Sequence, residues 1–309
     1  MTFAVLCPGQ GAQHPDMLAR LMDSAAARAV FDAADAELGT GWRDAATDPS
    51  RLFLNRDAQP LICLSQLAAW RALSEGELPR VTAFAGYSAG EVSAHACAGV
   101  FDAAGLARVA AGRARLMDDA APSGTGLLAL RGIGREQAVA LGAPSGVMLA
   151  IATGEDACVM GGPQEGLSNV AEQAEAMGVQ VTCLKVGLAS HTSYLHDAVA
   201  GLRDLLGKSV VRAPQVPIIA GIDASRVMTT AQGIESLSRQ VAQTIEWASC
   251  MDALHERGCR VFIELGPGSG LSRMLRERHV DVAARSLDEF QSVAGARAWL
   301  ARECDAMSN

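Results

Sequence analysis

Val81-Thr82-Ala83-Phe84-Ala85-Gly86-Tyr87-Ser88-Ala89-Gly90-Glu91 decides how this chain is read. Val81 to Ala85 is a short β-rich apolar run placed just after Pro79 and Arg80, so it predicts a buried strand. Gly86 to Gly90 fits the pattern G-x-S-x-G, and Glu91 to Cys97 continues as a helix. The bare pattern is weak evidence in a glycine-rich chain; its position between strand and helix gives it meaning. On such a turn a serine hydroxyl is lifted clear of the sheet, flanking glycines avoid clashes, and free amide groups at the helix start face a developing oxyanion. The competing reading is an ordinary glycine turn that caps a helix.

Outward from this turn the chain alternates strands and helices. A first strand is expected near Phe3 to Cys7, a helical region from Asp16 to Leu38, a loop from Gly39 to Ser50, and helices at Gln59 to Leu73 and Ala103 to Met117. After a linker-like Ala121 to Gly126, the order strand, helix, strand, strand, helix, strand runs from Leu127 to Lys185, which suits a ferredoxin-like unit. The remainder returns to an α/β pattern: Ser190 to Leu206 helical after its first turn, a strand at Ile218 to Ala220, one or two helices over Ile234 to Leu254, a strand at Val261 to Leu265, a helix to Arg276, a last strand at Val282 to Ala284 and a final helix around Phe290 to Leu300. The expected fold is α/β, a hydrolase-like core formed by 1–125 and 187–309, with a small ferredoxin-like subdomain inserted at 126–186.

Composition narrows the function classes. With 26 Lys+Arg against 34 Asp+Glu the formal charge is -8, so no broad basic face for nucleic acid is expected. No run of 18 apolar residues predicts a membrane helix, and the opening residues read as a strand rather than a signal peptide, giving a cytoplasmic expectation. The eight cysteines are scattered without a CxxC pair, so they are read as reduced, mostly buried thiols, and no metal site is expected.

A serine needs a base. Of the six histidines, His95 falls two turns down the helix after Ser88, His255 and His279 stand in charged helical text, His196 suits a helix surface or the core, and His14 follows a glycine turn that could approach the site. His191 lies where Gly187-Leu188-Ala189-Ser190-His191-Thr192 leaves a strand and opens a helix, a usual position for active-site groups in α/β folds. It is the candidate base, with a satisfied core histidine as the alternative.

These residues resemble the malonyl-CoA:acyl-carrier-protein transacylase family. Pro8-Gly9-Gln10-Gly11-Ala12-Gln13, Gly86 to Glu91, Gly112-Arg113-Ala114-Arg115-Leu116-Met117, Ser190-His191 and Glu264-Leu265-Gly266-Pro267-Gly268 match its signatures in order over nearly the whole chain. The resemblance implies Ser88 as nucleophile, His191 as base and then acid, and the backbone amides of Gln10 and Ala89 as oxyanion hole. It further implies Arg113 as the clamp on a substrate carboxylate, although Arg113 also reads as part of a solvated face with Arg108 and Arg115. Gln59 falls at a pocket glutamine, and Gln243, four residues before Trp247, where the family has a carbonyl that orients the histidine. No permanently bound cofactor is implied; malonyl-CoA is the implied substrate and an acyl-carrier protein the implied partner.

Three departures stand out: Tyr87 where histidine is usual, Ala89 where leucine is common, and Ile151-Ala152-Thr153-Gly154-Glu155-Asp156 in place of an asparagine-bearing stretch. With Cys7 they look like the epsilon subunit of malonate decarboxylase, which implies that complex's carrier subunit, and its other subunits, as partners. Fatty-acid or polyketide transacylase, serine hydrolase and a non-catalytic scaffold are the alternatives.

Overall fold

The computed structural model describes residues 2–209 and 212–307. Two sheets organise it. The larger has the order β11-β10-β1-β2-β7-β8, built from β1 (Thr2–Cys7), β2 (Arg80–Gly86), β7 (Ile218–Ile219), β8 (Arg226–Val227), β10 (Val261–Glu264) and β11 (Ala283–Ser286). All its pairings are parallel except β7 with β8. Helices α1 (Ala25–Leu38), α2 (Asn55–Leu73), α3 (Ala89–Cys97), α4 (Ala103–Ala120), α7 (Ala198–Ser209), α8 (Thr230–Gln240), α9 (Trp247–Glu256), α10 (Gly270–Arg278) and α11 (Val293–Ala306) complete this part. The strands alternate between two apolar clusters. Phe3, Val5 and Cys7 pack with α2 and α4 residues, while Ala4, Leu6 and Phe262 pack with Trp247 and Leu254 of α9. A strand buried on both faces reads as a continuous apolar run, which is why Phe3 to Cys7 was legible.

The smaller sheet has the order β6-β3-β5-β4-β9, with β3 (Thr125–Arg131), β4 (Met148–Ala152), β5 (Ala157–Pro163), β6 (Gln180–Cys183) and β9 (Ile245–Glu246). Helices α5 (Arg135–Gly142) and α6 (Gln164–Ala176) supply its apolar cover through Ala138, Leu167 and Val170. The architecture is the α/β-hydrolase-like core with a ferredoxin-like subdomain. One strand comes from outside 126–186: β9 pairs parallel with β4 through Ile151↔Ile245.

Local boundaries differ in several places. Asp16 to Leu38 breaks into two 3-10 turns before α1, whose start is fixed by Ser24 accepting from the Ala27 amide. The 39–50 stretch also contains 3-10 turns, which bury Trp42, Ala45 and Ala46. Helix α2 begins at Asn55, a turn before the expected Gln59. Pro60 reads naturally as first-turn residue of a helix starting at Gln59, yet it lies inside α2. The extra turn puts Asn55 and Gln59 on one face. Finally, Ile234 to Leu254 divides into α8 and α9 around β9.

Candidate active site

Parallel strands β1 and β2 end side by side, and the loops leaving their carboxyl ends meet. Tyr87 N donates to Cys7 O at 2.9 Å, tying the two exits together. Ser88 follows with φ 56 and ψ -118, a left-handed conformation rarely adopted by a residue with a side chain, and α3 starts at Ala89. The glycines around it answer to close approach. A Cβ on Gly86 would lie 2.2 Å from Glu91 N, and one on Gly90 would lie 2.0 Å from Cys7 O. Helix α3 therefore sits directly on the end of β1 only because position 90 is bare. Gly90→Ala is expected to cost about 3 kcal/mol or more through this backbone clash, read as a lowered midpoint in denaturant unfolding. An unchanged midpoint would contradict the packing described.

The hydroxyl of Ser88 meets His191 Nε2 at 2.7 Å. His191 itself is buried, has φ 64, and is anchored by its own amide, which donates to Val241 O at 2.8 Å. Its Nδ1 lies 2.7 Å from Gln240 O. A carbonyl only accepts, so Nδ1 carries the proton and Nε2 presents a lone pair to Ser88. Burial, and then the positive charge of Arg113, push the imidazole down to about 3. It is therefore neutral, and able to accept a proton, throughout the neutral range.

The acceptor on His191 is Gln240, which corrects the expectation of Gln243. Helix α8 ends at Gln240, and carbonyls of a last turn lack intrahelical partners. One of these is turned onto the imidazole. Gln243 lies three residues on, half-buried in the turn towards β9.

Arg113 projects from α4 into the same region and is 1% exposed. Arg108 on this helix pairs with Glu37 and Arg115 is exposed, so the shared solvated face does not include Arg113. Nη1 donates to Gln59 Oε1 at 2.7 Å and Nη2 to Gln240 Oε1 at 2.9 Å, while the buried Nε has no partner. Gln59 is held by Asn55, which in turn bonds Ala114 O and Asp118. Among the described residues no carboxylate makes an ion pair with Arg113. Burial lowers its pKa to about 10, which leaves it charged at neutral pH. A buried cation held by neutral amides is suited to an anion arriving from outside.

The Pro8 to Gln10 loop crosses the top of the elbow. A Cβ on Gly9 would lie 2.7 Å from Tyr87 O and 3.5 Å from Ser88 Cβ. This sets the loop that leads to Gln10 against the turn that precedes Ala89. Gln66 reinforces the loop, its buried Nε2 donating to Pro8 O at 2.7 Å and Gly266 O at 3.0 Å.

The other histidines are engaged elsewhere. His95 bonds Glu91 O through Nδ1 inside its own helix, His255 and His279 stack 4.1 Å apart beside Asp281 and Asp252, His14 is near Asp288, and His196 is exposed. Tyr87 packs edge-on against Trp247 at 5.4 Å. Ile151 and Ala152 end β4, and residues 153–156 form the turn into β5. Seven cysteines are buried and Cys183 is exposed. Among the described residues no cluster of three or more His, Cys, Asp or Glu is placed to hold a metal, and no helix is long and apolar enough to cross a membrane.

Burial also sets an acid response. His191 and His95 are held at about 3 and 4, and Glu91 and Glu264 are pushed up to about 7. Between the ordinary values of 6.5 and 4.5, acidification protonates the two histidines mainly in the unfolded chain, which lowers stability. Over the same window the two acids are protonated mainly in the folded chain, which raises it. These contributions oppose one another down to about pH 4.5. Below that the acids titrate in both states and only the histidine penalty remains, about 1.4 kcal/mol per pH unit for each unmatched proton. Thermal midpoints should change little from pH 6.5 to 4.5 and then fall. A steady decline beginning at pH 6.5 would show that the acids do not compensate.

A serine bonded to a neutral, carbonyl-oriented imidazole, with a buried cation bonded to the same Gln240, suits an acyl-group-handling enzyme. The chain belongs to the acyl transferase domain family, whose model matches residues 4–292, and it is an acyltransferase. It is similar to the malonyl CoA-acyl carrier protein transacylase of Salmonella typhimurium, 27% identical over 306 residues, covering 95% of this chain and 98% of that protein. The crystal structure of the acyl-carrier-protein S-malonyltransferase from Burkholderia pseudomallei superposes with TM-score 0.89 at 28% identity, covering 96% and 100% of the two chains. The corresponding structure from Bartonella henselae gives 0.91 at 25% identity, covering 97% and 100%.

Proposed function

We propose that this chain transfers a malonyl group from malonyl-CoA to the prosthetic thiol of an acyl-carrier protein through a malonyl-Ser88 intermediate. The observation that carries the reading is the shared residue Gln240, which bonds both the base and the buried cation, so one bound acyl group could reach both. In the first half, His191 Nε2 takes the Ser88 proton as Oγ attacks the thioester carbonyl. The backbone amides of Gln10 and Ala89 receive the oxyanion; loss of one such donor typically costs about 3 kcal/mol. The C–S bond then breaks, and the imidazolium returns its proton to the CoA thiolate. A carrier thiol repeats the steps in reverse, which is ping-pong kinetics.

Arg113 receives the free carboxylate of the malonyl group, its planar fork matching two oxygens. Gln59 supports this role by holding Nη1. A serine hydrolase reading wants an acid on His191, whereas a carbonyl occupies that position, which supports transfer over hydrolysis.

For the carrier, the names of the relatives support an acyl-carrier protein of fatty-acid or polyketide synthesis over the malonate decarboxylase carrier that the departures at Tyr87 and Ile151 to Asp156 suggested. The test is direct. The protein is incubated with malonyl-CoA, and intact mass should show one malonyl group on Ser88. Discharge is then compared between a phosphopantetheine carrier, a dephospho-CoA-type carrier and water. Fastest discharge to the phosphopantetheine carrier is expected; preference for the dephospho-CoA-type carrier would restore the decarboxylase reading, and discharge by water alone would overturn transfer.

A further inference from the structure

Glu91 is the acid directly after Gly90, three positions past Ser88, and its side chain is fully buried. Burying a carboxylate is costly unless something nearby uses it. No Lys or Arg bonds it among the described residues. Instead, one oxygen, Oε2, accepts from Gln240 Nε2 at 2.5 Å and from Gly221 N at 2.9 Å, while the other oxygen has no partner. The backbone is shaped around that oxygen: a Cβ on Gly221 would lie 2.7 Å from it.

Gln240 turns both of its oxygens toward the site. Its carbonyl oxygen accepts from His191 Nδ1, and its side-chain oxygen accepts from Arg113 Nη2. Arginine can only donate and a carboxylate oxygen only accepts here, so the amide has a single satisfactory orientation. Released from Glu91, the amide can rotate. Arg113 Nη2 then loses its acceptor, and the α8 terminus that presents the carbonyl to His191 loses its side-chain anchor.

We propose that Glu91 is a positioning residue, whose Oε2 fixes the Gln240 amide and thereby holds the His191 ring and the Arg113 guanidinium in one register. The Arg113 half rests on the malonyl-transfer reading; the His191 half does not. The role is that of a placed acceptor, not of a counter-charge for Arg113.

Two variants separate these possibilities. In Glu91→Gln an amide oxygen can occupy the Oε2 position and accept both N–H groups. In Glu91→Asp the charge is kept but the oxygen is drawn back by one methylene. Single-turnover loading of Ser88 is followed by intact mass with malonyl-CoA and with acetyl-CoA. Glu91→Gln should stay within about threefold of the native protein for both. Glu91→Asp should lose roughly 100-fold with malonyl-CoA and about tenfold with acetyl-CoA, because malonyl loading needs both aligned groups and a misplacement near 1 Å costs on this scale. A purely structural role lowers both rates by the same factor. A native malonyl-to-acetyl ratio in folded Glu91→Asp, or Glu91→Gln as impaired as Glu91→Asp, overturns the proposal. If Glu91→Asp does not fold, Gly221→Ala, which crowds the same oxygen, should give the same shift in ratio, and a native ratio there overturns it. A native protein that takes up no malonyl defeats the malonyl-transfer reading separately; the acetyl arm then still tests the hold on His191.

Discussion

Arg113→Ala is expected to slow malonyl loading of Ser88 by roughly 10²- to 10³-fold, while acetyl loading changes by less than about tenfold. The guanidinium is buried and bonded only to amide oxygens of Gln59 and Gln240. On the proposed function, an incoming carboxylate exchanges water for charge-assisted bonds from a guanidinium whose Nε has no other acceptor. In the variant the same carboxylate enters a pocket with no cation, and an uncompensated buried charge costs about 3–5 kcal/mol. Acetyl carries no such charge and loses only the packing and the ordering that Arg113 gives Gln240. Arg113→Lys should recover little, since an ammonium cannot bridge Gln59, Gln240 and two carboxylate oxygens from one plane. Loading rates by intact mass settle the matter: an equal loss for both acyl groups would mean that Arg113 organises the pocket without reading the substrate.

The parts of this arrangement that the sequence revealed are those with short-range causes. Ser88 was visible because strand, glycine turn and helix are consecutive, and because Gly86 answers to a clash with Glu91 within that same unit, whereas Gly90 answers to Cys7 O on β1. The double burial of β1 was visible as an unbroken apolar run. His191 stood out by its place at a strand exit, although its bond to Ser88 spans 103 positions. The misses have long-range causes. Gln240 was assigned one turn too late, at Gln243, because spacing to Trp247 does not reveal where α8 stops. Asn55 was overlooked because Pro60 made a later helix start reasonable. Glu91 carried a signal that could have been used: an acid within Ala89-Gly90-Glu91-Val92-Ser93-Ala94, a stretch otherwise small and apolar, is poorly placed for solvent. What it bonds, 149 positions away in the chain, has no local trace.

His191→Ala should reduce acylation of Ser88 by about 10⁴-fold with either acyl donor, leaving the residual rate that an oxyanion site alone supports. The reasoning begins from the proton. Ser88 Oγ is a weak nucleophile while it keeps its hydrogen, and Nε2 at 2.7 Å is the acceptor aligned with it. The Gln240 carbonyl fixes that alignment by occupying Nδ1–H, so no carboxylate is required to select the tautomer. Because burial and Arg113 hold the imidazole at about 3, the base is not lost by protonation in mildly acidic solution. An imidazole with its ordinary value of about 6.5 would lose roughly thirtyfold in neutral fraction by pH 5. Here the single-turnover rate should fall by less than about threefold between pH 7 and pH 5. Rates measured across that range in the native protein, with His191→Ala as the baseline, test both statements together. A thirtyfold acid loss in the native protein would mean that solvent reaches His191 during loading and restores an ordinary imidazole, while a His191→Ala protein that loads malonyl at the native rate would remove the base from the mechanism altogether.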